Sequence, residues 1–99
     1  MSFRARRVDA NQSVIASAAI AMGCSVADTS RLGVGFPDLV LGLSTLKGRV
    51  NLLIEVKDCA KPPSARKLTT AEREFRDGWR GQYAVVESVE DLRKLLRAT

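Results

Sequence analysis

In ANQSVIASAAIAMG, residues 10 to 23, apolar side chains recur at Val14, Ile15, Ala18, Ala19 and Met22, the three-and-four spacing of one helix face. Asp9 followed three residues later by Gln12 makes a capping box that opens this helix, and Gly23 closes it. The period then changes. CSVADTS is short and β-leaning, and RLGVG is a glycine-rich connection. PDLVLGL and VNLLIEVKD are two apolar runs parted by a Lys47-Gly48 turn, which predicts a hairpin. CAKPPSARKL reads as a loop, because the Pro62-Pro63 pair opposes regular structure. Thr69 with Glu72 forms a second capping box and starts a helix that runs to about Trp79, with Gly81 beyond its end. QYAVVES has the β-branched, apolar character of a buried strand, and Ser88 with Asp91 caps a last helix bearing Leu92, Leu95 and Leu96 on one side. The predicted order is α-β-β-β-α-β-α: an α/β sandwich with a small mixed sheet flanked by helices.

Three charges interrupt the apolar hairpin. Alternation along VNLLIEVKD puts Leu52, Ile54 and Val56 on one face and Leu53, Glu55 and Lys57 on the other. Asp38 begins the preceding strand, so hairpin pairing lets its carboxylate approach Glu55. Two carboxylates held together repel, and one takes up a proton unless a cation sits between them. Mg2+ and Mn2+ favour such oxygen donors, and Asp38, Glu55 and the backbone carbonyl of Val56 would suit either ion. Lys57 would then hold or help deprotonate a water and offset charge on a phosphate under attack, which implies phosphodiester hydrolysis. Glu-x-Lys alone usually marks a surface ion pair, and Pro-Asp alone a turn. Their combination at the ends of two adjacent apolar strands is what favours chemistry.

Composition narrows the alternatives. Ninety-nine residues fit one domain, residues 1–99, with residues 1–8 as a basic arm. Sixteen Lys and Arg against 11 Asp and Glu leave a net charge of +5, which favours anionic partners such as nucleic acid. With no histidine, a Ser-His-Asp triad, a Cys-His pair and a histidine zinc site are excluded. Cys24 and Cys59 are too few for a zinc cage and read as buried small residues or inert thiols in a reducing cytosol. No signal peptide or bilayer-length apolar run is present, so a cytoplasmic protein without membrane association is expected.

Lys61, Ser64, Arg66 and Lys67 follow the charged strand directly and are placed to grip phosphates flanking a cut. Arg73, Arg76 and Arg80 share a helix face, with Glu74 and Asp77 near enough for helix ion pairs, while Arg4, Arg6 and Arg7 form an arm for non-specific DNA contact. Phe75, Trp79 and Tyr83 read as core.

GFPDLVLG, LLIEVKD and KPPSARKLTTAEREF resemble the PD-(D/E)XK nuclease superfamily, and within it the stand-alone VRR-NUC (virus-type replication-repair nuclease) domains of phages and bacteria. The resemblance covers nearly the whole chain, from RRVDANQ through WRGQYAVVESVEDL. It implies a restriction-endonuclease-like fold and a Mg2+- or Mn2+-dependent endodeoxyribonuclease cutting duplex or branched DNA such as Holliday junctions. A homodimer in a bacterial or phage-infected cytoplasm is also implied, with room for a replication or repair protein as partner. Carried over by position, Asp38 and Glu55 become metal ligands and Lys57 the catalytic lysine. Gln12 best matches the extra Glu or Gln that the first helix of such nucleases supplies, and Glu72 stands where many members carry glutamine. Both also occupy the third helical position of a capping box. Two rival readings are a nucleic-acid-binding module that does not cut and an interaction subunit whose carboxylates merely pair with lysines.

Overall fold

The structure, a computed structural model, describes residues 10–99, so the basic arm and Asp9 lie outside the described residues. Four helices and four strands follow one another as α1 (Ala10–Ala21), β1 (Ser25–Asp28), β2 (Leu39–Thr45), β3 (Gly48–Val56), α2 (Pro63–Arg66), α3 (Thr70–Gly78), β4 (Tyr83–Val86) and α4 (Val89–Ala98). The strands form one mixed sheet in the order β1-β2-β3-β4. The pairings β1 with β2 and β2 with β3 are antiparallel, whereas β3 and β4 are parallel. A parallel pair needs a long crossover, and the stretch carrying α2 and α3 supplies it. The fold is thus α/β, with the expected elements in the expected sequence and one additional helical turn, α2.

Alternation decides what the sheet buries on its first face. Leu39 and Leu41 on β2, Leu52, Ile54 and Val56 on β3, and Val86 on β4 join Ile15 and Ala19 of α1 and Leu92 of α4 in one apolar core. Ile15, Leu41, Ile54 and Leu92 have no solvent exposure at all. Val14 departs from the helical pattern: it is exposed, not core. The reason lies in composition, since α1 has no charged residue and is apolar on most sides, so that periodicity alone cannot select its buried face.

The hairpin turn also shifts by one residue. Thr45 pairs with Gly48, leaving Leu46 and Lys47 as the two turn residues, and Gly48 at φ 116° is the position that needs glycine. The Pro62-Pro63 pair does not exclude a helix but starts one: Pro62 is the N-cap of α2, with a proline in its first turn. A proline there forfeits only an N–H that has no intrahelical partner anyway. The Thr69-Glu72 box is present in full, with the Thr69 hydroxyl taking the Glu72 N–H and Glu72 Oε1 taking the Thr69 N–H. Ser88 likewise accepts the Asp91 N–H at the start of α4. Both cysteines are free thiols; Cys24 is buried as expected, but Cys59 is exposed. Among the described residues, no helix is long and apolar enough to cross a membrane.

The second face of the sheet is covered in part, by α3 and the loop before β2. Phe75 of α3 meets Phe36 edge-on at 5.1 Å, stacks on Trp79 at 5.2 Å and lies 6.2 Å from Tyr83 of β4. Phe75 and Tyr83 are half-buried packing groups, whereas Trp79, expected in the core, is exposed. Gly35 makes the approach possible. Its φ is +79°, and a Cβ there would run into the Ala71 carbonyl in the first turn of α3. Gly35→Ala is therefore expected to cost about 3 kcal/mol in urea unfolding, combining the left-handed penalty with a backbone collision. A loss below about 0.5 kcal/mol, the ordinary range of a surface change, would show that α3 is not seated on this loop.

Candidate active site

The charged residues of the hairpin meet at one end of the sheet. β1, running antiparallel to β2, ends where β2 begins, and β3 and β4 end there too. Asp38 lies one residue outside the ladder that pairs Leu39 with Ile54, which sets it beside Glu55 on the second face. The Val56 N–H donates to Asp38 Oδ2 at 2.9 Å and fixes that carboxylate. On the other side of Asp38, the Thr29 N–H donates to its carbonyl at 2.9 Å, tying β1 to the same corner.

Glu55 is 3% exposed, and its Oε1 has no hydrogen-bond partner. A buried carboxylate without donors cannot keep its charge cheaply. Burial, then the negative charges of Asp38 and Glu72, push the Glu55 carboxyl up to about 9, with Lys57 pulling the other way. Lys57 Nζ lies 3.7 Å from Glu55 Oε2 and 2.9 Å from Glu72 Oε1. Burial pulls the Lys57 ammonium downward, but its hydrogen bond to Glu72 and the charges of Glu72, Glu55 and Asp38 prevail, so its pKa is raised. Burial opposes ionisation of Glu72, and the Thr69 amide and Lys57 outweigh it, holding that carboxyl below its usual range. The cap and the site thus share one side chain: Glu72 closes the α3 capping box and grips the lysine with the same oxygen.

Compared with known proteins, the chain matches no family model, no curated protein and no solved structure.

Asp38, Glu55, Lys57 and Glu72 are therefore brought together, whereas among the described residues Gln12 hydrogen-bonds to none of them. It is buried at the start of α1 and turns to Asp28, whose carboxylate also accepts the Ser30 N–H at 2.9 Å and the Ser30 hydroxyl at 2.6 Å. These Ser30 bonds, followed by a smaller contribution from Gln12, keep the Asp28 carboxyl below its ordinary value. The neighbouring Asn11 reaches the strand ends instead, donating to the carbonyls of Lys57 at 2.6 Å and Glu87 at 3.1 Å. Asn11 and Asp28 carry no motif that sequence could flag.

Tyr83 was equally illegible as a site residue. Parallel register sets it across from Leu53, two positions before the Glu55-Val85 pair, and its buried hydroxyl has no partner. Burial and the nearby Glu55 and Glu72 charges push that phenol up to about 12.

The basic residues differ in their surroundings. Arg66 is paired with Glu87 at 3.1 Å and Arg76 with Asp77 at 2.9 Å. Arg73 donates to the Leu68 carbonyl and to the Thr70 hydroxyl. Lys61, Ser64 and Lys67 are exposed around α2, beside the end of β3. Arg7 lies outside the described residues.

Among the described residues, no group of three or more His, Cys, Asp or Glu side chains stands ready to hold a metal ion. The donor set at this corner is smaller: two carboxylates, Asp38 and Glu55, with Glu72 committed to Lys57. Two carboxylates suit a hard divalent ion that keeps most of its waters. The orphaned Glu55 Oε1, and the burial and repulsion that together protonate Glu55, are conditions a cation would relieve.

Proposed function

We propose that the chain is a Mg2+- or Mn2+-dependent DNA endonuclease of the PD-(D/E)XK superfamily, similar to VRR-NUC domains, hydrolysing phosphodiester bonds in duplex or branched DNA. The observation that carries this reading is the juxtaposition of Asp38, a buried Glu55 whose Oε1 has no hydrogen-bond partner, and Lys57 at one sheet end. An interaction subunit would need these charges to neutralise one another. The Lys57-Glu72 pair does so, but it leaves Asp38 and Glu55 as adjacent carboxyl groups that coexist with Glu55 held protonated.

Asp38 and Glu55, with the Val56 carbonyl, would hold the ion. When bound, it supplies neutralisation of phosphate oxygens and acidification of a water. Asp38 is pre-set for that task by the Val56 amide. Glu55 must give up its proton, so ion binding is coupled to proton release. Lys57, its pKa raised, stays an ammonium at neutral pH and therefore acts by charge, facing the phosphate on which negative charge builds. Glu72 is a positioning residue that keeps Nζ at 2.9 Å from its own carboxylate and close to Glu55. Lys61, Ser64 and Lys67 are disposed to meet flanking phosphates from the α2 side.

The direct test is a cleavage panel of four-way junction, flap, single-strand and duplex DNA with Mg2+, Mn2+ or EDTA. Cleavage of at least one substrate that EDTA abolishes is expected. Binding without cleavage under every condition would instead favour the non-catalytic module.

A further inference from the structure

A shallow cavity of about 430 Å³ opens at the opposite end of the sheet from the carboxylates, lined by Gly23, Ser25, Gly42, Ser44, Arg49 and Asn51 among others. Register shows which face it belongs to. Ser25 pairs with Gly42, Gly42 with Asn51, and Ser44 with Arg49. Counting by twos along each strand, Gly42 and Ser44 share a face with Asp38, and Arg49 and Asn51 share one with Glu55. The cavity therefore lies on the same face as the candidate active site, about six residues along β2 and β3, or roughly 20 Å away at the rise of a strand.

Between them the face is covered on its β3-β4 half, where Leu53 is buried, and open along β1. The α3 aromatics pack against Tyr83 at the β4 side, while Ala27 and Ser25 on β1 are exposed. Gly42 leaves the floor bare: a Cβ there would already touch Asn51 Oδ1 at 3.6 Å and Ser25 Cβ at 3.7 Å. Arg49 has no acidic partner among the described residues, unlike Arg66, Arg76 and Arg93. An unpaired guanidinium above hydroxyl and amide side chains is chemistry suited to a phosphodiester, for which arginine offers a two-pronged donor.

We infer that this groove is a second backbone-binding subsite, in which Arg49, supported by Asn51, Ser44 and Ser25, holds a phosphate of the DNA strand that runs across β1 and β2 from the Asp38-Glu55 corner. The assignment rests on the nuclease reading for what occupies the other end. At about 3.4 Å per nucleotide along a duplex, roughly 20 Å corresponds to about six base pairs. The contact positions DNA without reading its sequence.

Fluorescence anisotropy in EDTA, where no cutting is expected, tests the subsite separately from catalysis. Two labelled duplexes are compared, one long enough to span corner and groove and one too short by about six base pairs on either side. Arg49→Ala is expected to weaken the long duplex about tenfold, to lower the slope of log affinity against log salt by about 0.9, and to leave the short duplex unchanged. Arg49→Lys should recover most of the affinity, and Gly42→Val, which fills the floor while leaving Arg49 intact, should reproduce the loss. Lys94→Ala, on exposed α4, is the control for net charge. Unchanged binding of the long duplex by Arg49→Ala, or an equal loss with Lys94→Ala, overturns the subsite. If the Arg49 effects appear but Mg2+ and Mn2+ support no cleavage, the groove stands and the nuclease reading falls.

Discussion

Asp38→Ala, Glu55→Gln and Lys57→Ala are each expected to lower Mg2+- or Mn2+-dependent DNA cleavage by about a thousandfold, with the fold intact by circular dichroism. The size follows from what each group does. Removing one well-aimed charge or donor from a water-poor site commonly costs ~100- to 1,000-fold, and loss of an ion costs more. Asp38→Ala takes away half of the carboxylate set and releases the Val56 N–H that holds it. Glu55→Gln keeps the shape of a side chain that is almost fully buried but removes its ability to ionise. Lys57→Ala leaves both carboxylates and removes the cation that lies 3.7 Å from Glu55. Glu72→Gln is expected to cost less, about tenfold, because Lys57 keeps its place beside Glu55 and loses only the stronger of its two acid partners. The pH profile of that variant should shift with the lysine, whereas a purely structural cap would leave it unmoved. Parent-like cleavage by any one of the first three variants would mean that the corner is not the active site.

Much of this corner is legible in the sequence because it depends on short-range rules. A period of two divides Leu52, Ile54 and Val56 from Leu53, Glu55 and Lys57, and the observed core contains the first set. A two-residue hairpin turning at Leu46-Lys47 then sets Asp38 opposite Glu55, whereas the expected turn one residue later would have set it opposite Lys57, still on the same face. The capping signatures at Thr69 and Ser88 likewise involve bonds over three residues. What could not be read depends on long-range register. Tyr83 reaches the acids only through the parallel β3-β4 pairing, whose offset is set by a crossover of more than twenty residues and not by a turn. Arg49 looks like a hairpin charge until strand counting shows that it shares a face with Glu55. Gln12 follows from the docking angle of α1, and Val14 from its choice of face, and a helix apolar on most sides specifies neither strongly. Leu53 carries the same lesson in reverse: it lies on the face of Glu55, yet it is buried, because the aromatic cluster of α3 covers that half of the sheet.

The same Glu55→Gln substitution that ends cleavage is expected to stabilise the metal-free protein, and the gain should grow with pH. The carboxyl has an ordinary value of 4.5 and is raised to about 9 in the fold. Below 4.5 it is protonated both folded and unfolded, so Glu and Gln differ little there. Between 4.5 and 9 the unfolded chain releases the proton and the folded chain retains it. The unfolded state then binds fewer protons, and stability falls as pH rises through that window. At pH 7 this amounts to roughly 3 kcal/mol at about 1.36 kcal/mol per pH interval, and a domain of this length gains about 4 to 8 °C per kcal/mol. In EDTA the Glu55→Gln variant should accordingly melt about 10 °C or more above the parent at pH 7, with the gap closing towards pH 4. Adding Mn2+ should close most of that gap, since an ion at about one hundred times its Kd stabilises the parent by about 2.7 kcal/mol and finds one fewer charged ligand in the variant. Equal melting of the two proteins from pH 5 to 9 would show that Glu55 is not strained by burial and its acidic neighbours. Equal stabilisation of both by Mn2+ would show that the ion binds without it.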